Sequence, residues 1–288
     1  MRSGIVRLAR GRMAGRTLVL AYHNVVPRGE RPAGDLSLHL PQQAFATQLD
    51  MLLETHDVVA LDDVGAGGAG GRPRAAITFD DAYAGAMRAG IEELSRRGLP
   101  ATVFVTPAFV GGEAFWWDLL AAPADGLRAD VREHALGPCR GEHERVLAWA
   151  RDAGVRTHDL PAHARCAAER DLAAAAGTAG IAIGSHTWSH ANLAAVDEPT
   201  LRSELERARA WLDARFPARR RWFSYPYGRR NAAAESAALA HGHAGAFLIE
   251  GGWIPTGAEA PSRLPRLNIP AGLSANGFAI RAAGLLNR

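Results

Sequence analysis

Residues 75–81 read Ala75-Ala76-Ile77-Thr78-Phe79-Asp80-Asp81, a short apolar run with β-branched and aromatic members that stops on two adjacent carboxylates. A run of this length bounded by polar residues reads as a buried strand. The same pattern recurs at Thr17–Ala21, Ala101–Val105, Ile181–Gly184, Trp222–Ser224 and Ala246–Ile249, each followed by polar, Gly or Pro residues. Between these runs lie stretches of helical period at Pro41–Glu54, Ala82–Arg97, Glu198–Phe216 and Ala232–His241. Strands alternating with helices predict an α/β fold in which βα units surround a parallel sheet or barrel. The helix from Glu198 has the clearest ends: Asp197 is placed to cap it, Pro199 suits its first turn, Leu201, Leu205, Ala208 and Leu212 recur on one face, and Pro217 stops it.

Working outward, residues 119–179 are rich in Ala, Arg, His and Glu and contain no convincing strand, so they are read as a helical insertion that either shapes a substrate site or merely pads the fold. Gly65–Gly71 is a loop. Residues 1–15 form a basic tail, and 16–288 a single domain. The chain has 288 residues, 33 Lys and Arg against 30 Asp and Glu, and 48% hydrophobic residues. A core of that size folds without disulfides or metal, and the two cysteines, Cys139 and Cys166, belong to no C-x-x-C pair. They read as reduced structural or surface thiols. The basic N-terminus lacks the apolar core of a secretory signal and no apolar run reaches the length of a membrane span, so the expectation is a soluble, cytoplasmic chain. A net charge of +3, with only short basic clusters at Arg219, Arg220 and Arg221 and at Arg229 and Arg230, describes a solvated face and argues against a nucleic-acid partner. The sequence does not speak to oligomeric state.

Three clusters carry chemistry. Asp80 and Asp81 stand at the C-terminal end of a strand, where α/β folds place ligands; there one carboxylate can bind a cation while its neighbour takes a proton, although adjacent acids also serve as helix caps. Gly184-Ser185-His186-Thr187-Trp188-Ser189-His190 follows another strand. Imidazoles at i and i+4 fall on one face of a helical turn and can grip one ion, or form an ordinary polar surface turn. With Asp81 they make a set of two histidines and one carboxylate that leaves coordination positions open. Phe223-Ser224-Tyr225-Pro226-Tyr227-Gly228 is a sharp turn after a strand, either an aromatic loop or a device for aiming a backbone N–H at a developing oxyanion.

In this order, T-F-D-D, H-[ST]-x-x-H and a P-Y-G turn resemble the polysaccharide deacetylase family, carbohydrate esterase family 4, over roughly Thr17 to Pro270. The resemblance implies a distorted (β/α) barrel of about seven strands that binds a divalent metal, usually zinc, and hydrolyses N-acetyl or O-acetyl groups on sugars; cobalt, nickel and iron suit the same donors. By motif, Asp80 corresponds to the general base, Asp81, His186 and His190 to the metal ligands, and Tyr227 to the residue whose backbone N–H helps hold the oxyanion.

Two departures follow. Many members open the third motif with an Arg that pairs with the base, where this chain has Ser224; the replacement candidate is Arg266 in Leu264-Pro265-Arg266-Leu267, unless that residue is a surface arginine on an edge strand. Many members take a general acid from a Leu-x-His motif near the C-terminus; after Tyr227 the pattern occurs only as Leu239-Ala240-His241, where His241 and His243 read as a helix end rather than as that motif. Instead Leu18-Val19-Leu20-Ala21-Tyr22-His23-Asn24 resembles the subgroup with permuted motifs that deacetylates partly β-1,6-linked biofilm poly-N-acetylglucosamine, which makes protonated His23 the candidate acid. Trp117 in Phe115-Trp116-Trp117-Asp118, Trp188 between the histidines, and Tyr225 are the candidate sugar-stacking side chains. The implied activity is removal of acetyl groups from an acetylated glycan or amino sugar. A deacylase of small-molecule amides or esters and a non-catalytic sugar-binding barrel are the alternatives.

Overall fold

The computed structural model describes residues 15–64, 72–123, 125–217, 221–255, 257 and 261–285. The predicted loop at Gly65–Gly71 and nearly all of the N-terminal tail lie outside them. Eleven strands occur among the described residues: β1 (Arg16–Tyr22), β2 (Asn24–Val26), β3 (His39–Pro41), β4 (Asp57–Val58), β5 (Arg74–Phe79), β6 (Ala101–Val105), β7 (Ile181–Ser185), β8 (Trp222–Ser224), β9 (Gly245–Gly251), β10 (Trp253–Pro255) and β11 (Leu264–Asn268). Seven of them close a parallel barrel in the order β1, β11, β9, β8, β7, β6, β5 and back to β1. The six predicted runs and the late Leu264 segment are these seven strands. β10 and β4 flank β1 and β5, and β2 pairs with β3 apart from the barrel.

The pleat decides which side chains reach the barrel interior. Successive residues of a strand point to opposite faces. In β1 and β5, Leu18, Leu20, Ile77 and Phe79 join the layer shared with the helices, while Val19 and Ala76 join a second cluster with Phe104, Phe247 and Leu264 inside the barrel. The inward row of β5 therefore continues Ala76, Thr78, Asp80, which carries a carboxylate into the mouth of the barrel. Both faces of these strands are buried, which is why they read as continuous apolar runs.

Helix 42–55 covers β1 and β5, its buried Phe45 lying 5.0 Å from the Tyr22 ring and 5.6 Å from Phe79. Helix 198–215 is capped as predicted: the Asp197 side chain accepts a hydrogen bond from the Thr200 N–H at 2.9 Å. The predicted helix at Ala82–Arg97 opens as a turn and contains a π-helical stretch at Ala86–Gly90 before α-helix Ile91–Arg97. The excursion at 119–179 contains helices Ala129–Leu136, His143–Asp152 and Glu169–Ala176 and no named strand among its described residues. Cys139 and Cys166 are buried and free. No helix of the described residues is long and apolar enough to cross a membrane.

Candidate active site

The C-terminal ends of β1, β5, β7 and β8 converge on a cleft of about 300 Å³ lined by His23, Asp80, Asp81, Trp117, Arg132, His186, His190, Tyr225, Tyr227 and Arg229 among others. The backbone locks the strand ends first. Asp80 N–H donates to the Tyr22 carbonyl at 2.9 Å and His186 N–H to the Val105 carbonyl at 2.9 Å, so the acidic pair and the first histidine are fixed relative to the barrel.

The first half of the site is an ion pair. Arg266, fully buried, donates from Nη1 to Asp80 Oδ1 and from Nη2 to Asp80 Oδ2, both at 2.7 Å. Its remaining donors reach Thr78 Oγ1 (3.0 Å), Ser224 Oγ (2.7 Å) and the Leu248 carbonyl (2.7 Å). Ser224 Oγ in turn donates to Asp80 Oδ2 at 3.3 Å. A serine at the third motif therefore bridges the base to an arginine delivered from β11. A register shift in the β11–β9 pairing between Leu264 and Arg266 accompanies this placement, as bulges do where a side chain is re-aimed. Burial by itself would raise the Asp80 carboxyl, but the Arg266 charge, His186 and the guanidinium hydrogen bonds outweigh it and hold Asp80 well below the ordinary carboxylate range.

The second half is unsatisfied. Asp81 Oδ1, His186 Nε2 and His190 Nε2 are buried and face one another, with 3.6 Å and 3.3 Å from the carboxylate oxygen to the two nitrogens and 3.1 Å between the nitrogens. His186 Nδ1 donates to the Ser224 carbonyl at 2.7 Å, which leaves a lone pair on Nε2 directed at the other two groups. Asp81 Oδ1 has no hydrogen-bond partner. Burial, then the charges of Asp80 and Asp118, push the Asp81 carboxyl well above its usual value; burial likewise lowers both histidines, His190 far below its usual value. Three buried ligand atoms converging on one point, with the Asp81 oxygen left without a hydrogen-bond partner, fit a bound cation.

The histidines do not meet on a helical turn, as their spacing predicted. Residues 186–190 form a non-helical loop with Thr187 and His190 at φ 65° and 60°, closed by a hydrogen bond from His190 N–H to Thr187 Oγ1 at 3.1 Å. The buried Glu204 holds this loop from outside, accepting from Ser189 N–H (2.8 Å) and Ser189 Oγ (2.6 Å). Of the six described non-glycine residues with positive φ, four lie in the three motifs, Asp81, Thr187, His190 and Tyr227, and a fifth, Ala82, follows Asp81 directly. Such conformations cost on the order of 1–3 kcal/mol each and persist where the surroundings over-determine them.

The remaining expectations divide. His23 lines the cleft, but burial, only partly opposed by the Asp80 charge, pushes its imidazole down to about 4, so it rests neutral rather than protonated. Tyr227 sits in a left-handed turn at φ 57°, ψ 10°, its ring edge-on to His190 at 4.4 Å. Trp117 and Tyr225 line the cleft yet are buried, Trp117 between Phe115 (stacked at 4.5 Å) and His190 (4.7 Å), as walls rather than open platforms. Trp188 is not part of the lining: its ring carries the Arg207 guanidinium at 4.1 Å on the outer side of the loop. The 119–179 excursion contributes Arg132 and Leu136 to the cleft wall, and Asn192 donates to the Leu136 carbonyl at 3.3 Å. Glu204 and Asp118 were missed by sequence; buried charge within apolar neighbours was their only signal.

Barrel and site together define an α/β-barrel hydrolase. The family model for polysaccharide deacetylases matches residues 67–246, and the chain belongs to that family, whose activity is hydrolytic removal of acetyl groups from carbohydrate. Among solved structures, the Streptococcus pyogenes deacetylase PplD in complex with acetate aligns at a TM-score of 0.63 and 15% identity, covering 91% of this chain and 96% of that one. IcaB from Ammonifex degensii aligns at 0.63 and 18%, covering 93% and 95%. A de-N-acetylase from Aggregatibacter actinomycetemcomitans aligns at 0.63 and 16%, covering 91% and 98%. No curated protein sequence matches the chain.

Proposed function

We propose that this chain is a divalent-metal-dependent de-N-acetylase that hydrolyses N-acetyl groups of a poly-N-acetylglucosamine glycan, releasing acetate and leaving a free amino sugar. The observation that carries the reading is the contrast between neighbouring carboxylates: Asp80 is saturated by Arg266, whereas Asp81 Oδ1 is buried without a donor against two imidazole nitrogens. Asp81, His186 and His190 would hold the ion, and two imidazoles with one carboxylate suit zinc best. When bound, such an ion supplies Lewis-acid polarisation of the acetyl carbonyl and eases deprotonation of an attacking water.

The chain's own groups do the rest. Asp80, kept ionised by Arg266, takes a proton from the water whose oxygen attacks the acetyl carbon. Held as a strong acid once protonated, it does not keep that proton. His23, neutral at rest and sensing the Asp80 charge, receives it and delivers it to the glycan nitrogen as the C–N bond breaks. The left-handed turn at Tyr227 serves to aim a backbone N–H at the developing oxyanion. An acid donated from the end of the first strand, with His241 of Leu239-Ala240-His241 ending a helix outside the cleft lining, favours the subgroup acting on partly β-1,6-linked chains.

Acetate release from β-1,6-linked and β-1,4-linked N-acetylglucosamine oligomers, and from an O-acetylated oligosaccharide of similar length, tests this. The expected order puts the β-1,6-linked N-acetyl substrate first. Zinc-loaded protein that releases acetate from none of them, or only from the O-acetyl ester, contradicts the proposal.

A further inference from the structure

Beneath the metal-ligand wall lies a buried chain of hydrogen bonds that the proposed mechanism does not use. At its centre is Asp118, fully buried. Its Oδ1 lies 2.8 Å from His39 Nε2 and accepts the Asp35 N–H at 2.8 Å, and its Oδ2 accepts the Tyr83 hydroxyl at 2.5 Å. The direction of every bond can be worked out. Asn24 Oδ1 accepts the Ala86 N–H at 3.1 Å, so Asn24 Nδ2 is the donor, reaching the His163 carbonyl at 2.9 Å and His39 Nδ1 at 2.8 Å. His39 thus accepts at Nδ1 and donates from Nε2, which a neutral imidazole does. Tyr83 spends its proton on Asp118 and its oxygen accepts Trp117 Nε1–H at 2.8 Å. All three neighbours of Asp118 are donors, and both of its oxygens accept.

Two ends of this chain abut the reaction cleft. Trp117 packs its ring 4.7 Å from His190 and forms part of the lining; Asn24 follows His23 directly. The turn at Gly34 is built for the hub: a Cβ there would stand 2.3 Å from Asp118 Oδ1, and the residue adopts φ +87°. Asp35, whose N–H completes the hub, also pairs through its carboxylate with Arg132 on the cleft rim.

We propose that Asp118 is a positioning residue for the metal site: a buried acceptor that, through Tyr83, holds Trp117 against His190 and, through His39 and Asn24, holds the segment carrying His23. The inference rests on the reading of Asp81, His186 and His190 as ion ligands. Asp118 touches neither ion nor substrate.

The test measures zinc affinity of the full-length chain by competition with a chromophoric chelator, alongside circular dichroism, thermal melting, kcat and KM. Asp118→Asn, nearly isosteric, should bind zinc about 10–100-fold more weakly, the usual cost of removing an outer-shell partner, and lower kcat more than it raises KM. Tyr83→Phe, which deletes the hydroxyl joining Asp118 to Trp117 but leaves the His39 and Asp35 contacts of Asp118, should weaken zinc binding by about 3–10-fold, a fraction of that cost. A purely structural role predicts a lower melting temperature with unchanged zinc affinity, and folded Asp118→Asn of wild-type affinity overturns the proposal. Should Asp118→Asn fail to fold, Tyr83→Phe decides, and wild-type affinity there overturns it equally. Wild-type protein that binds no zinc removes the site and this inference together; zinc binding without acetate release sinks the deacetylase reading and leaves the inference standing on its affinity data.

Discussion

Asp80 and Asp81 are covalent neighbours with opposite environments. Asp80 continues the inward row of β5 and meets a guanidinium fork, a serine and a histidine; Asp81 turns away through a left-handed backbone and faces two imidazole nitrogens with its Oδ1 free of hydrogen bonds. Burial raises both carboxyls, but Arg266 and its hydrogen bonds overcome it and drive Asp80 far down, while Asp81, without such a partner, is driven far up. Pairs of acids split in this way mark division of labour, since a group held ionised can take a proton while a group short of a counter-charge can hold a cation. The strain follows the same division: positive φ is concentrated at the ion-ligand turns, and the base side is stabilised by hydrogen bonds instead.

The comparison can be broken on either side. His186→Ala removes an ion ligand, so both bound metal and turnover should be lost, read by metal analysis and acetate release on one preparation; retained stoichiometric metal contradicts the ligand set. Asp80→Asn should leave metal content near wild type and lower turnover by about 10²–10⁴-fold, the range for removing a general base. Normal turnover would displace Asp80 from that role.

Arg266→Met tests the counter-charge. Breaking a buried pair by deleting one partner costs about 3–5 kcal/mol, measurable by denaturant unfolding. Arg266 lowers the Asp80 pKa in the folded protein, so the wild-type base stays ionised well into acid. Without it, burial acts unopposed and the carboxyl rises. The acid limb of the pH–rate profile should therefore move to higher pH, by about 1–3 units. An unmoved limb would separate Asp80 from catalysis. The stability sign agrees: a depressed folded pKa contributes stability above the unfolded value near pH 4 and loses it as pH falls, so wild type should gain over Arg266→Met above that pH and converge on it in acid. The smallest effect belongs to Ser224→Ala, about 1 kcal/mol in stability and less than tenfold in turnover, because the bidentate pair survives without the bridging hydroxyl.

How far the sequence reading reached follows from range. Strands buried on both faces announce themselves locally, and the capped helix at 198–215 carries its own punctuation. The two- and three-residue strands β4, β2 and β3 do not, because their pairing depends on partners distant in sequence. Arg266 could be nominated as the partner of Asp80 but not paired from sequence, since 186 residues separate them. The helical reading of His186 and His190 failed because nothing local signals that Thr187 and His190, lacking the freedom of glycine, adopt positive φ. Trp188 was misassigned to the cleft because the outward face of its loop is chosen by Arg207, on a helix that follows it. The hub at Asp118 was hidden for the opposite reason, in that each member alone reads as an ordinary polar residue and only their convergence gives them a role.

The most direct measurement is titration of chelator-stripped wild-type protein with zinc, following bound metal and acetate release from N-acetylglucosamine oligomers together. The account predicts that both rise in parallel and saturate at one ion per chain. Acetate release at full rate before any ion is bound, or an ion bound at a stoichiometry unrelated to activity, would contradict it.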